Sequence, residues 1–218
     1  MRIDLPSGTT AELARPAGDP SRGVVLHPDI GGLRPLFDDL CARLAADRGW
    51  AVCAPEPFPG REAMTLEERM GSVGGLEDAT QVGHLLAAAD ALETDRVAVL
   101  GFCMGGMYAL KAAGTGRFDA AVAFYGMIRV PEDWRGPGHG EPLDAVRRAT
   151  EEGVPVLAIV GTADVWTPSA DVDELELAGA EVVRYEGAEH GFVHDPSRPA
   201  HRADDAADAW RWAIEFLA

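Results

Sequence analysis

Short apolar runs of strand length alternate with stretches of helical periodicity along nearly the whole chain. This alternation restricts the fold more than any other feature of the sequence. Gly23–Pro28, Trp50–Ala54, Arg96–Gly101, Ala120–Tyr125 and Val156–Gly161 are continuously apolar or nearly so, as strands covered on both faces should be. Between them, Leu36–Arg48 carries Leu36, Phe37, Leu40, Leu44 and Ala45 at helical spacing, with Gly49 as its stop. Leu76–Glu93 is the longest helical pattern, Met104–Ala113 a helix closed by Gly114, Ser169–Ala178 a further helix and Glu181–Tyr185 the last strand. His201–Leu217 reads as a C-terminal helix with Ala206, Trp210, Ala213, Ile214 and Leu217 on its apolar face. Thr9–Arg15 predicts part of an edge hairpin, residues 61–70 a short helix and Gly71–Gly75 a glycine-rich loop. Pro131–Pro142, with three prolines and three glycines, predicts a loop long enough to suggest a functional role. The whole pattern predicts an α/β fold: a mostly parallel central sheet with helices on both faces. No repeat or linker divides it, so residues 1–218 are read as one domain.

Composition narrows the partners. The chain has 19 Lys and Arg against 36 Asp and Glu, a net charge of −17. So acidic a surface excludes nucleic acid as a partner and repels anionic membranes. No apolar run approaches the roughly 18–20 residues of a membrane helix, and Met1–Pro6 has no apolar segment of the secretory kind. The three cysteines, Cys41, Cys53 and Cys103, cannot all pair within the chain and form no CxxC, which fits a reduced, cytoplasmic protein. The expected partner is a small molecule, bound by a monomer or homodimer.

The strongest chemical signal is Gly101-Phe102-Cys103-Met104-Gly105, where the strand ending at Gly101 turns directly into the helix beginning at Met104. This is the layout of a nucleophile elbow with cysteine in the serine position. The flanking glycines let strand and helix pass close together around a strained residue. The helix start favours a thiolate at Cys103, and the Met104 N–H can face an oxyanion. Asp164 follows the strand Val156–Gly161, and His190 follows the last strand on a loop bounded by Gly187 and Gly191. The order Cys103, Asp164, His190 fits an elbow enzyme: His190 as base or ion-pair partner, Asp164 fixing its tautomer. Taken singly, Cys103 is equally a structural thiol, Asp164 a turn former and His190 an exposed loop residue; the three in this order favour the triad.

With these residues in view, the sequence resembles the dienelactone hydrolase family of the α/β-hydrolase superfamily. The resemblance is carried by Gly101-Phe102-Cys103-Met104-Gly105-Gly106, Gly161-Thr162-Ala163-Asp164 and Gly187-Ala188-Glu189-His190-Gly191-Phe192. Leu26–Gly32 and Ala51–Phe58 also match the family, and the match runs from about Gly23 to the C-terminus. It implies hydrolysis of a small ester or lactone through a Cys-His-Asp triad and a thioester acyl-enzyme. It further implies an oxyanion hole from the Met104 and Ile30 N–H groups, and no metal or organic cofactor. Asp29 stands where the family carries a glutamate that gates the thiol, one methylene shorter. His194, and more loosely Arg69, stand where family members acting on dienelactone place arginines that hold the substrate carboxylate.

Other residues are read on their own terms. Tyr125, Trp134, Trp166 and Phe192 flank strand ends and are expected to line an apolar substrate pocket. His190 and His194 are not expected to form a metal site, since they lie on a loop without a third ligand. Cys41 and Cys53 are expected to be inert buried thiols, and only one of Trp210 and Trp212 can face the core. The competing functions are an acyl-transferring or lyase-like enzyme on the same fold, and a non-catalytic small-ligand-binding protein.

Overall fold

In the computed structural model, which describes residues 1–218, eight strands join in one sheet. They are β1 (Arg2–Asp4), β2 (Thr10–Ala14), β3 (Arg22–His27), β4 (Trp50–Pro55), β5 (Val97–Phe102), β6 (Ala120–Phe124), β7 (Val156–Gly161) and β8 (Glu181–Tyr185). Their spatial order is β1-β2-β4-β3-β5-β6-β7-β8. The hairpin β1–β2 joins β4 antiparallel, and every other neighbouring pair is parallel. The expected edge hairpin is therefore present, with Arg2–Asp4 as its partner strand. The continuously apolar runs became β3, β4, β5, β6 and β7, in which every residue is buried.

The helices are α1 (Pro35–Arg48), α2 (Leu66–Ser72), α3 (Asp78–Ala91), α4 (Met104–Ala113), α5 (Pro142–Glu151), α6 (Ser169–Leu177) and α7 (Ala203–Leu217). α1 starts on a proline and ends where Gly49 takes φ 68°, a conformation glycine adopts at little cost. α2 begins later than residue 61 because Thr65 and Glu68 cap each other's backbone N–H groups. It runs past Gly71 to Ser72, and Val73–Gly75 adds a 3₁₀ turn where a loop was expected. Glu132–Trp134 forms another short turn within the long proline-rich segment.

Helices cover both faces. A Cβ on Gly101 would meet the Gly105 carbonyl oxygen of α4 at 2.1 Å, so this residue of β5 faces α4. Its neighbour Phe102 points to the opposite face, as strand alternation requires. There Trp210 of α7 packs on Phe102 and Phe124, with ring centroids 5.8 and 5.0 Å apart. Trp212 is also half-buried against the core, so the expectation that only one of the two tryptophans faces it does not hold, and its ring lies under the Arg211 guanidinium. The parallel strands all end at one edge of the sheet. β3 has β4 on one side and β5 on the other, so the chain reverses direction across the sheet here, and a crevice opens between their loops.

Candidate active site

The turn after β5 is held in the strained geometry that its glycines anticipated. Cys103 has φ 57° and ψ −123°, outside the regions an ordinary side chain prefers. A Cβ on Gly105 would lie 2.2 Å from the Pro28 carbonyl oxygen, and one on Gly106 2.7 Å from the Gly126 Cα. Only glycine lets β3, β5, β6 and α4 converge this closely. The Cys103 N–H donates to the Phe124 carbonyl at 3.0 Å, and the Cys103 carbonyl accepts from the Met107 N–H at 3.0 Å. The sulfur thus sits at the start of α4, where free N–H groups and the helix dipole favour negative charge.

Asp164 and His190 arrive from the ends of β7 and β8. Asp164 is buried; one carboxylate oxygen accepts from the Trp166 N–H at 2.8 Å, and the other lies 2.8 Å from His190 Nδ1. The other side of the imidazole faces Cys103. Burial works against the His190 imidazolium, but the charge and hydrogen bond of the Cys103 sulfur and the hydrogen bond and charge of Asp164 prevail and push it up to about 10. The arrangement therefore sets the Cys103 sulfur against an imidazole that favours its charged form. The Ile30 N–H, in the loop after β3, donates to no protein acceptor. The Met104 N–H is the first of α4 and has no partner within its helix.

A cavity of about 460 Å³ opens over Cys103 and His190. Its apolar wall comes from Ile30, Leu66, Met70, Met127, Trp134 and Trp166, and its polar groups are Asp29, Arg34, Asp195 and Arg198. The Trp134 and Trp166 rings stack 5.7 Å apart and 24° from parallel. Both tryptophans line this cavity.

The other expected lining residues do not reach the cavity. Tyr125 and Phe192 are fully buried behind it, packed on each other at 5.7 Å. Arg69 is also buried: it meets the Glu56 carboxylate at 3.2 Å and lies over the Phe58 ring. Glu56 also accepts from the Leu33 and Phe58 N–H groups, so this ion pair braces the loop after β3. His194 points inward and binds Asp29 at 2.8 Å, without lining the cavity. Arg34 and Arg198 supply the cavity's cations. Nothing in local sequence distinguished them, because both lie outside the strand-end motifs in segments whose course is set by tertiary packing.

Asp29 lies at the cavity, but its carboxylate is fully engaged. It accepts from the Gly31 N–H at 2.9 Å, from Arg34 Nη1 and Nη2 at 2.6 and 2.9 Å, and from His194 Nε2 at 2.8 Å. Burial opposes its charge, yet the hydrogen bonds from His194 and Arg34 hold it well below the usual carboxylate range. The expected contact to the thiol is not among its hydrogen bonds. His27, at the end of β3, is buried and stacks on Tyr108. Cys41 and Cys53 are buried and unpaired, and burial pushes the Cys53 thiol up to about 12.

Comparison with known proteins agrees with this architecture. The dienelactone hydrolase family model matches residues 9–218. A carboxymethylenebutenolidase from Rhodococcus opacus is 30% identical over 213 residues, covering 89% of this chain and 79% of its own length. The crystal structure of a Klebsiella pneumoniae protein named for dienelactone hydrolase superposes with a TM-score of 0.84 at 25% identity, covering 100% of this chain and 97% of its own. A dienelactone hydrolase-like promiscuous phosphotriesterase from metagenomic libraries shares the fold, with a TM-score of 0.78 at 23% identity over 100% of this chain and 96% of that one. On the match along nearly its whole length, the chain belongs to the dienelactone hydrolase family and is by that membership an ester- or lactone-cleaving hydrolase.

Proposed function

We propose that the protein hydrolyses a small ester or lactone through a thioester on Cys103. The observation that carries this reading is the strained Cys103 sharing one cavity with a His190 imidazole that is hydrogen-bonded to Asp164. The Cys103 thiolate attacks the substrate carbonyl carbon. The carbonyl oxygen takes up the negative charge facing the Ile30 and Met104 N–H groups, which have no competing partner to give up. As the tetrahedral intermediate collapses, the C–O bond to the alkoxide breaks and His190 gives that oxygen its proton. A water then attacks the thioester while His190 takes one of its protons. The acid leaves, and the thiolate–imidazolium pair is restored. Asp164 keeps the Nδ1 proton of His190 directed away from the sulfur throughout.

The stacked Trp134 and Trp166, with Met70, Met127 and Leu66, suit a planar apolar portion of the substrate. Their cavity, of about 460 Å³, has room for a small ester or lactone.

The test is mass spectrometry of the protein mixed with activated aryl esters and small lactones. A mass increase equal to the acyl group, mapped to Cys103 and decaying as acid is released, is expected. Cys103→Ala should lose both adduct and turnover, by roughly 10³-fold or more. Undiminished hydrolysis by Cys103→Ala would sink the mechanism.

A further inference from the structure

From the cavity wall inward runs a chain of polar groups that the proposed acyl transfer does not use. It starts at Arg34, passes through Asp29 to His194 and ends at the hydroxyl of Tyr125. These residues come from three different loops: Asp29 and Arg34 follow β3, Tyr125 follows β6, and His194 follows β8. Tyr125 sits at φ 40°, its N–H donating to the Ile159 carbonyl at 2.7 Å and its hydroxyl accepting from the His194 N–H at 3.3 Å. Its ring stands edge-on to the His190 ring, centroids 5.1 Å apart.

The direction of each hydrogen bond follows from what the partners can donate. Asp29 is held ionised and can only accept, so His194 Nε2 carries the proton between them. Burial keeps the His194 imidazole neutral, pulling it below its ordinary value against the opposing pull of Asp29. Nδ1 is then an acceptor, and the Tyr125 O–H donates to it. An imidazole is suited to this place because it offers one donor and one acceptor. A guanidinium has donors only and would leave the Tyr125 proton without a partner. With the carboxylate, the imidazole and the hydroxyl all buried and satisfied, such a chain fixes the loops it joins.

We propose that His194 is a positioning residue. Through Asp29 on one side and Tyr125 on the other, it locks the loop bearing the Ile30 N–H against the loop bearing His190. Oxyanion donor and proton carrier then meet an acyl carbon in one geometry. The inference rests on the thioester reading above, and it makes a distinction that simple scaffolding would not. Acyl transfer needs the thiolate, the base and the oxyanion donor together. Alkylation by iodoacetamide displaces iodide at a saturated carbon and needs the thiolate alone.

Tyr125→Phe removes one oxygen and keeps the ring; His194→Leu removes both polar ends; His194→Gln keeps a donor and an acceptor. Tyr125→Phe and His194→Leu are expected to lower kcat for an aryl ester by about ten- to a hundredfold, with KM within about twofold of the parent. His194→Gln should recover part of that loss, and Tyr125→Phe combined with His194→Leu should be no worse than His194→Leu alone. The pH profile of Cys103 alkylation should superimpose on the parent's in all of them. Unchanged kcat in variants that fold would overturn the proposal, as would alkylation and kcat falling together. A parent protein that alkylates normally but turns over no ester would count against the thioester reading instead. The lock would then be read from the low-field N–H proton resonance of His190: broadening in Tyr125→Phe supports it, and an unchanged line overturns it.

Discussion

Two aspartate–histidine pairs lie side by side at the edge of the sheet, and their rings differ in charge: one favours the imidazolium, the other the neutral imidazole. His190 meets Asp164 through Nδ1 and His194 meets Asp29 through Nε2, each at 2.8 Å. Burial works against a charged ring in both. At His190 the Cys103 sulfur and Asp164 together overcome it, and the imidazole is pushed up to about 10. At His194 burial outweighs the hydrogen bond and charge of Asp29, and the positive charges of Arg34 and Arg198 add to its effect. Asp29 is already neutralised by the fork of Arg34. A carboxylate at hydrogen-bond distance therefore does not by itself make an imidazolium; burial weighed against all the neighbouring charges and hydrogen bonds decides. One pair is suited to move a proton, and its neighbour to hold still.

The largest expected effects separate the two histidines. His190→Ala removes the proposed proton carrier and should cost turnover roughly 10³-fold or more, much as loss of the thiol does, because members of a triad act as a unit. The corresponding loss at His194 should be smaller by at least an order of magnitude, since that ring touches no reacting atom. Steady-state kinetics of the two variants on one aryl ester measure the gap. Equal losses would mean that both rings take part in proton transfer and would dissolve the contrast.

A smaller effect tests why His190 is charged. Asp164→Asn keeps the shape of the pair but removes the negative charge and presents the ring with a weaker partner. The imidazolium should lose stability and the thiolate with it, so the acid limb of Cys103 alkylation should move to higher pH. Ester turnover should fall while the alkylated residue stays the same. Rates of iodoacetamide labelling from pH 5 to 9 give the answer; an unmoved limb would show that Cys103 alone sustains the charge on His190.

Much of this was legible because the strongest signals in the sequence are also the ones that position the site. Continuous apolar runs mark β3, β5, β6 and β7, and the residues just beyond their ends must lie at one edge. Cys103 and Asp164 were therefore brought to one edge by strand patterning, and His190 joined them by following β8, the last parallel strand. Gly101 and Gly105 were readable because a close crossing admits no side chain. The cavity wall was not readable in this way. Tyr125, Phe192 and His194 follow strands as Trp134 and Trp166 flank them, yet they turn inward, and only the packing of rings around Phe102 and Phe124 decides that. Arg69 looked like a free cation because nothing local shows that Glu56, across the β4 turn, claims it. The capping box at Thr65 and Glu68 did lie in the sequence and would have set the start of α2 at Leu66.

The smallest expected effect concerns stability in acid, where the two pairs act with opposite sign. His190 has a folded pKa above its ordinary 6.5, so its contribution is fully present below that value and is lost as the pH rises through about 10. His194 has a folded pKa below 6.5. The unfolded chain binds its proton first, and stability is lost as the pH falls below 6.5. Asp29 adds to the same limb: its folded carboxyl is depressed, so its contribution is present above the unfolded pKa and lost as the pH falls toward the folded one. His194→Gln removes the first of these terms and weakens the second, since Asp29 loses the ring that holds its charge. The variant should be less stable than the parent at pH 7, and the difference should shrink as the pH drops from 6.5 toward 4. The relief should be at most about 1.4 kcal/mol per pH unit, the limit for one proton. Thermal unfolding of parent and variant across that range measures it. Parallel curves would mean that His194 is already protonated in the folded protein, and the two histidines would then carry the same charge after all.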